Sequence, residues 1–333
     1  MRGNSASLPI TLISWIAVIA VFLVLPFVVG PYLLEVMIML LINIVVVASF
    51  RLITMTGGWS LAHIPLVGVG AYSAALLSKH FGVSFWLNLP LGGLTAAFVA
   101  AAICYPLLRM KGFAFFIGSF AAGEAIRLCW IRFRNPFGGP RGLIDIAGAG
   151  SLRVAGLFSL NLDSGIPFYF LTVLVTLICL YLMHRLGDSR IGVTLEAIHI
   201  HDNLAKSLGI PVTKYRALAF IAGGFFAGVA GAMLAHRLRT IDPHQFGFTT
   251  TLYLLLWAIV GGTTTFAGPL LGIVALTAIG ELIRRFSEWV PLIYGVILIV
   301  VVLFFPQGLE SLPARIPFLL KKYGIAQKGK PRK

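Results

Sequence analysis

YLLEVMIMLLINIVVVASFRLI, residues 32–53, runs for 22 residues with one acid and one base. About 18 apolar residues in a row are enough to cross a bilayer as a helix. The stretch begins beyond a Gly30-Pro31 break that separates it from an earlier apolar stretch, Ile10 to Val29. Two such stretches so close together set the reading of the chain. Of its 333 residues, 59% are hydrophobic and only 11% charged, against about 25% charged in an ordinary soluble domain. A soluble fold of this length has no interior large enough for that apolar surface. A membrane β-barrel would show short segments of alternating polarity, and none is seen. The expectation is an all-α, polytopic integral membrane bundle.

Counting outward from residues 32–53 gives about ten spans. After Ile10–Val29 and Tyr32–Ile53 come Ser60–Leu77, Phe85–Leu108 and Phe113–Trp130, then a loop of about 35 residues rich in Gly and Arg. Ile166–His184, Tyr215–Leu234, Thr250–Val260, Pro269–Ile283 and Val290–Phe305 follow. The first stretch lacks a small-x-small cleavage pattern and reads as a retained span. An even count puts both termini on one side. Net charge is +15, with Arg315, Lys321, Lys322, Lys328, Lys330, Arg332 and Lys333 concentrated after Gly308. Cations gather on the cytoplasmic side of membrane proteins, so both termini are expected there. The domain reading is a membrane-spanning unit over 1–310 and a basic cytoplasmic tail over 311–333, placed to meet anionic lipid headgroups. The same count leaves the 131–165 loop outside the cell despite Arg132, Arg134, Arg141 and Arg153. That conflict asks for a different helix count or for arginines held in folded structure. The scattered cations lack the interleaved aromatics of a single-strand nucleic-acid surface, so no nucleic-acid partner is expected. Cys104, Cys129 and Cys179 lie in apolar stretches and suggest buried small side chains, not a disulfide framework.

The interval between the sixth and seventh spans (about 186–214) is different. EAIHIHDNLAKSLGI, residues 196–210, is polar. Residues 194–206 fit a short amphipathic helix with Leu195, Ile198, Ala205 and Leu208 as apolar positions. Gly209 suits a helix C-cap, and Pro211 stops continuation before re-entry at Tyr215. His199-x-His201-Asp202 has the residue types of a metal site. However, i and i+2 face different sides of a helix, so no metal or other cofactor is expected.

Candidate groups for a pathway or for close helix packing are Gly57, Gly58, Ser60, His63, Gly68, Gly70, Glu124, Gly261 and Gly262. Small residues let helices approach and allow irregular backbone beside a cavity. Gly57-Gly58 is followed after six residues by Pro65-Leu66-x-Gly68, and Gly261-Gly262 after six by Pro269-Leu270-x-Gly272. Such a recurrence is what an internal repeat in a transporter would leave. Glu124 and Arg127, and Glu281 with Arg284 and Arg285, have the spacing of ion pairs on one helix face. His63 reads as an interhelical hydrogen-bonding group or a proton carrier. No G-x-x-x-x-G-K-[ST] phosphate loop is present, nor G-x-S-x-G nor H-E-x-x-H. Acids total 11, few of them in spans, which argues against a stand-alone ion-coupled transporter. The chain reads as a conduit whose energy source lies on another subunit.

Ordered blocks of sequence also resemble one family. TGGWSLAHIPLVGVGAY (56–72), LRMKGFAFFIGSFAAGEAIRL (108–128), FGGPRGL (137–143), EAIHIHDNLAKSLGIPVTKYRALAF (196–220), VGGTTTFAGPLLG (260–272) and FFPQGL (304–309) are similar, in order, to blocks of the permease subunits of bacterial ABC importers for branched-chain amino acids. That resemblance implies a second, homologous permease subunit, two cytoplasmic ATPases and a periplasmic solute-binding protein, all at the inner membrane. It implies a substrate among Leu, Ile and Val, or a related small solute such as urea. It also makes Glu196, Ala197, Asp202, Ala205, Gly209 and Ile210 the ATPase-coupling residues. The chain departs from the family's pattern at Gly58, where Gln is frequent, at Ala62, where Gly is usual, and at Pro65. His199, Ile200, His201 and Asp202 replace a charged run in the coupling block. These departures bear on the substrate and on the partner ATPase.

Overall fold

The computed structural model describes residues 26–110, 112–154, 158–305 and 308–311. Most of the first expected span and the basic tail lie outside the described residues. Among the described residues, eleven helices frame the molecule: α1 (Pro31–Thr54), α2 (His63–Phe81), α3 (Phe85–Leu107), α4 (Phe113–Arg132), α5 (Gly165–Gly187), α6 (Arg190–Ile200), α7 (Asp202–Ser207), α8 (Val212–Leu238), α9 (Phe248–Gly261), α10 (Gly268–Leu282) and α11 (Val290–Phe304). Their ends follow local chemistry. Pro31 opens α1 at its first position, where its fixed φ suits a helix and its missing N–H costs nothing. Gly82 closes α2 in the left-handed conformation.

Five helices among the described residues, α1, α3, α4, α5 and α8, are long and apolar enough to cross a membrane, and α9, α10 and α11 are shorter apolar helices. The third expected span differs. Helix α2 is not among those five, because it does not need an apolar surface all round. It is buried along most of its length, from His63 to Ser78, against α8 and α3. A helix enclosed by protein can carry Ser, Tyr, Gly and His where one facing lipid cannot.

Helix α8 is the axis of the bundle. It packs on α3, α2 and α1, while α1 also packs on α5 and α10, and α9 pairs with α10. The crossings are set by absent side chains. A Cβ on Gly70 would stand 2.2 Å from the carbonyl oxygen of Gly228, one on Gly228 2.3 Å from that of Gly92, and one on Gly231 1.9 Å from that of Val67. Without a hydrophobic drive between helices in lipid, such backbone-to-backbone approach supplies the packing.

The Gly- and Arg-rich loop between α4 and α5 is folded. It holds a short helical turn (Arg134–Phe137), a 3₁₀ turn (Gly139–Arg141) and an antiparallel ribbon of β1 (Ser151–Val154) and β2 (Phe158–Asn161). The all-α expectation therefore holds for the bundle but not for this excursion. Leu143 pairs with Ile241 by a further β-bridge, and Asp163 pairs with Arg239 at 3.0 Å.

Candidate functional site

Helices α6 and α7 lie at the bundle end that also holds the α1–α2, α3–α4 and α9–α10 connections. Helix α6 starts at Ser189, whose hydroxyl accepts from the amides of Ile191 (3.2 Å) and Gly192 (3.4 Å), an N-cap. The helix expected over 194–206 is in fact two. His201 is extended, at φ −147° and ψ 90°, and breaks it. Asp202 then opens α7, suited to a helix N-terminus, and accepts from Lys206 at 3.1 Å. Helix α7 ends in a Schellman motif: Ile210 N donates to Ala205 O, Gly209 N donates to Lys206 O, and Gly209 has φ +79°. Leu195, Ile198 and Ala205 are buried, the last two in a cluster with Val212. Leu208, expected beside them, is 72% exposed, because the break at His201 turns α7 relative to α6. Val193, Ile200, Leu204 and Leu208 thus present apolar side chains outward. Glu196 and Ala197 are also exposed.

On its inner side α6 meets a break in the membrane helices. Gly57, at φ +77°, follows α1, and His199 Nδ1 lies 2.9 Å from where a Cβ on Gly57 would stand. His199 therefore faces the α1–α2 connection and is not simply part of an outer surface. The connection is anchored to α4: Leu61 N donates to the hydroxyl of Ser119 at 2.9 Å. Ser60 is fully buried and caps its own loop by accepting from Ala62 N.

Arg51 joins this break to the second one. Its Nε donates to Thr265 O at 2.9 Å and its Nη2 to Thr264 O at 3.2 Å, while the guanidinium sits 5.7 Å from the centre of the Phe266 ring. The carboxylates of Glu196, Glu310 and Asp188 are near enough to act on its charge. From the other side, Glu310 accepts from the amides of Thr264 (3.1 Å) and Thr265 (2.9 Å) and from both hydroxyls. Burial pushes the Glu310 carboxyl up, but these hydrogen bonds together outweigh it and hold the group below its ordinary value. The two Gly-Gly stretches are alike in form. Each follows a helix, holds a positive-φ glycine (Gly57, Gly262), and precedes a helix with Pro in its first turn (Pro65, Pro269).

Beside the first break opens a cavity of about 540 Å³. Gly57, Gly58 and Thr56 form part of its wall, with Phe115 and Phe116 of α4, Phe220 of α8, and Leu255 and Ile259 of α9. Arg216 is the only charged side chain among its described lining residues.

The remaining sequence candidates fall in packing positions. His63 is fully buried, with Nε2 2.9 Å from the Ser49 hydroxyl and 3.2 Å from Val46 O on α1. Gly68 makes room for Trp130, which stacks on Tyr72 at 4.6 Å. Gly70 lies at the α2–α8 crossing, and Gly261 meets the backbone of Gly268. Glu124 pairs with Arg127 as its spacing predicts. Glu281 forms no ion pair with Arg284 or Arg285 among the described residues. It accepts instead from the Tyr32 hydroxyl at 2.9 Å, and Arg284 lies over the Tyr32 ring. Helix α10 ends at Leu282, so the helical spacing assumed for that pair does not exist there.

Several residues had no place in the sequence reading. Arg51 and Glu35 are ionisable groups inside an apolar span, a signal in itself; Glu35 pairs with Arg237 of α8 at 3.0 Å. Gly224-x-x-x-Gly228 on α8 is a small-residue motif that marks the central crossing. Glu310, after the last span, had no local signal beyond its position.

Residues 32–305 match the family described as branched-chain amino acid transport system, permease component. The high-affinity branched-chain amino acid transport system permease protein LivM of Salmonella typhimurium is 29% identical over 86% of this chain and 69% of its own length, and LivM of Escherichia coli matches equally. The probable branched-chain amino acid transport permease protein LivH of Methanocaldococcus jannaschii is 30% identical over 61% of this chain and 64% of its own length. No solved structure matches the chain.

Proposed function

This chain belongs to the branched-chain amino acid transport system permease family, and from that premise we propose that it is a membrane-spanning subunit of an inner-membrane ABC importer for Leu, Ile and Val. In this reading it pairs with a second, homologous permease, two cytoplasmic ATPases bind beneath, and a periplasmic binding protein delivers substrate. ATP is hydrolysed on the ATPases, in keeping with the lack of a G-x-x-x-x-G-K-[ST] phosphate loop in this sequence. The end of the bundle holding α6 and α7 is cytoplasmic, and the ribbon end faces the periplasm.

The observation that carries the reading is the two-sided geometry of α6–α7. One side is fixed to the bundle through Leu195, Ile198 and Ala205, and His199 stands on the Gly57 break. The other side offers Val193, Ile200, Leu204 and Leu208 to a partner. A partner that moves α6 moves the α1–α2 connection with it. Each nucleotide state of the ATPases selects one permease conformation by its differential affinity, so the pathway alternates between outward and inward access. Glu196, Ala197, Asp202, Ala205, Gly209 and Ile210 form and display this element.

The test is reconstitution. Proteoliposomes holding this chain, its partner permease and the two ATPases should accumulate labelled L-leucine only with ATP and binding protein present. Gradient-driven uptake by this chain alone, without nucleotide, would overturn the reading in favour of a secondary transporter.

A further inference from the structure

Helix α8 is enclosed by α1, α2 and α3 over most of its length, yet one of its faces is open. Lys214, Ala217, Leu218, Ile221, Ala222 and Phe225 recur at helical spacing and, with Ala97 of α3, line a groove of about 540 Å³. Every lining side chain except Lys214 is apolar. At about 1.5 Å per residue, the row runs about 16 Å from Lys214 to Phe225. That is the depth of one leaflet, half of a hydrocarbon core about 30 Å thick. The charge stands at one end of the row, in the first turn of α8, on the side that also carries α6 and α7. Lys214 is exposed and, among the described residues, forms no hydrogen bond or ion pair. No side chain caps α8 at Pro211, so the positive end of its dipole is open to an anion at the same place.

We propose that this groove seats an anionic phospholipid of the leaflet on the α6–α7 side, with one acyl chain along α8 and the phosphate on Lys214 and the first turn of α8. The proposal takes from the transport reading only that this leaflet is the cytoplasmic one, whose anionic lipids attract basic residues near the membrane. A phospholipid brings an apolar chain and an anion together in the order that the groove presents them. A helix of a protein partner would have to bring an acid of its own to Lys214. The seat adjoins the element offered to the ATPases. Val212, two residues before Lys214, packs with Ile198 and Ala205, and Arg216, two residues after it, pairs with Asp202 at 3.7 Å. A phosphate held at the first turn of α8 therefore steadies the bundle side of α6 and α7.

The experiment is native mass spectrometry of the purified full-length chain in a non-ionic detergent, titrated with dioleoyl phosphatidylglycerol or dioleoyl phosphatidylcholine. The first phosphatidylglycerol should bind about fivefold tighter than phosphatidylcholine, the worth of one lysine near an anionic surface. Lys214→Gln should remove that preference, and Arg190→Gln, at an exposed base outside the groove, should keep it. Ala222→Trp fills the groove with Lys214 in place and should weaken binding of both lipids, so that a misfolded Lys214 variant does not decide the matter alone. Free glycerol phosphate should not displace the lipid, because it brings the anion without the chain. Phosphatidylglycerol should also raise the unfolding temperature of the wild type and not that of Lys214→Gln. Equal binding of the two lipids, a preference kept in Lys214→Gln or lost equally in Arg190→Gln, indifference to Ala222→Trp, or displacement by glycerol phosphate would overturn the proposal. So would release of the lipid when the partner permease is added, which would make the groove an interface between subunits. Lys214-dependent lipid selectivity in a chain that supports no ATP-driven uptake would contradict the transport reading and leave this one standing. ATP-driven uptake without lipid selectivity would do the reverse.

Discussion

The ring of His199 covers one face of Gly57, with Nδ1 2.9 Å from the place a Cβ would occupy. That contact joins a helix at the end of the bundle to a backbone break that also forms the wall of the cavity. Because Gly57 has φ +77°, the break needs a residue free of the Cβ penalty. Sequence thus fixes both partners: a glycine for the bend, and a side chain at position 199 long enough to rest on it.

Gly57→Ala should destabilise the chain on two counts, backbone strain of about 1–2 kcal/mol and the clash with His199. The double variant Gly57→Ala/His199→Ala removes the clash and keeps the strain. Thermal unfolding of the purified chain should show the single variant least stable and the double variant partly recovered. Equal stability of the two would mean that His199 does not press on Gly57.

The central helix crossing leaves no room for side chains. Gly228→Leu should prevent α8 from seating against α3 and α2, since even a Cβ there would lie 2.3 Å from the Gly92 carbonyl oxygen. Overpacking of this kind costs about 1–3 kcal/mol or more, and against backbone there is no side chain to yield. Size-exclusion profiles in detergent should show loss of the monodisperse species, whereas Gly295→Leu, at a position with open space around it, should behave as wild type.

The two faces of α6–α7 should respond differently. Leu195→Ala and Ile198→Ala, at buried positions, should cost about 2–5 kcal/mol each. Val193→Asp and Leu204→Asp, at exposed positions, should leave unfolding nearly unchanged and reduce ATPase association measured by co-purification. A large stability loss from Leu204→Asp would show that α7 is packed inward.

Glu310 should make the chain acid-labile. Its folded-state value is held below the ordinary 4.5, so its contribution to stability is complete above that value and is lost as pH falls through the lower folded-state value. Thermal unfolding from pH 7 to 3 should show a loss on the acid side that Glu310→Gln lacks. Glu310→Gln should also be less stable at pH 7, because one amide oxygen cannot accept the four hydrogen bonds that the carboxylate takes. Parallel pH profiles for the two proteins would contradict this.

Much of this arrangement is legible in the sequence. Apolar length placed most helices within a few residues, and Gly209 with Pro211 gave the end of α7. The break at His201 was not legible, because nothing in Ile200-His201-Asp202 forbids a helix and only packing of Ile198 and Ala205 on Val212 rewards two. The pairing of Glu281 failed for a related reason: the spacing rule assumes a continuous helix, and α10 stops at Leu282. Arg51 and Glu310 find each other through the 262–267 loop, far apart in the chain, where local pattern carries no information. Gly228 is marked in the sequence only by its i, i+4 relation to Gly224, far from the Gly-rich stretches at 57–70 and 261–272.

The central claim is that α6–α7 conveys ATPase motion to the Gly57 break. The direct measurement is binding-protein-stimulated ATP hydrolysis, with L-leucine uptake, in proteoliposomes holding the Glu196→Arg chain with its partner permease and ATPases. Glu196 is exposed on α6, so the variant should insert and fold. The account predicts that uptake is lost and that hydrolysis no longer responds to the binding protein. Uptake and stimulation at wild-type levels would contradict it.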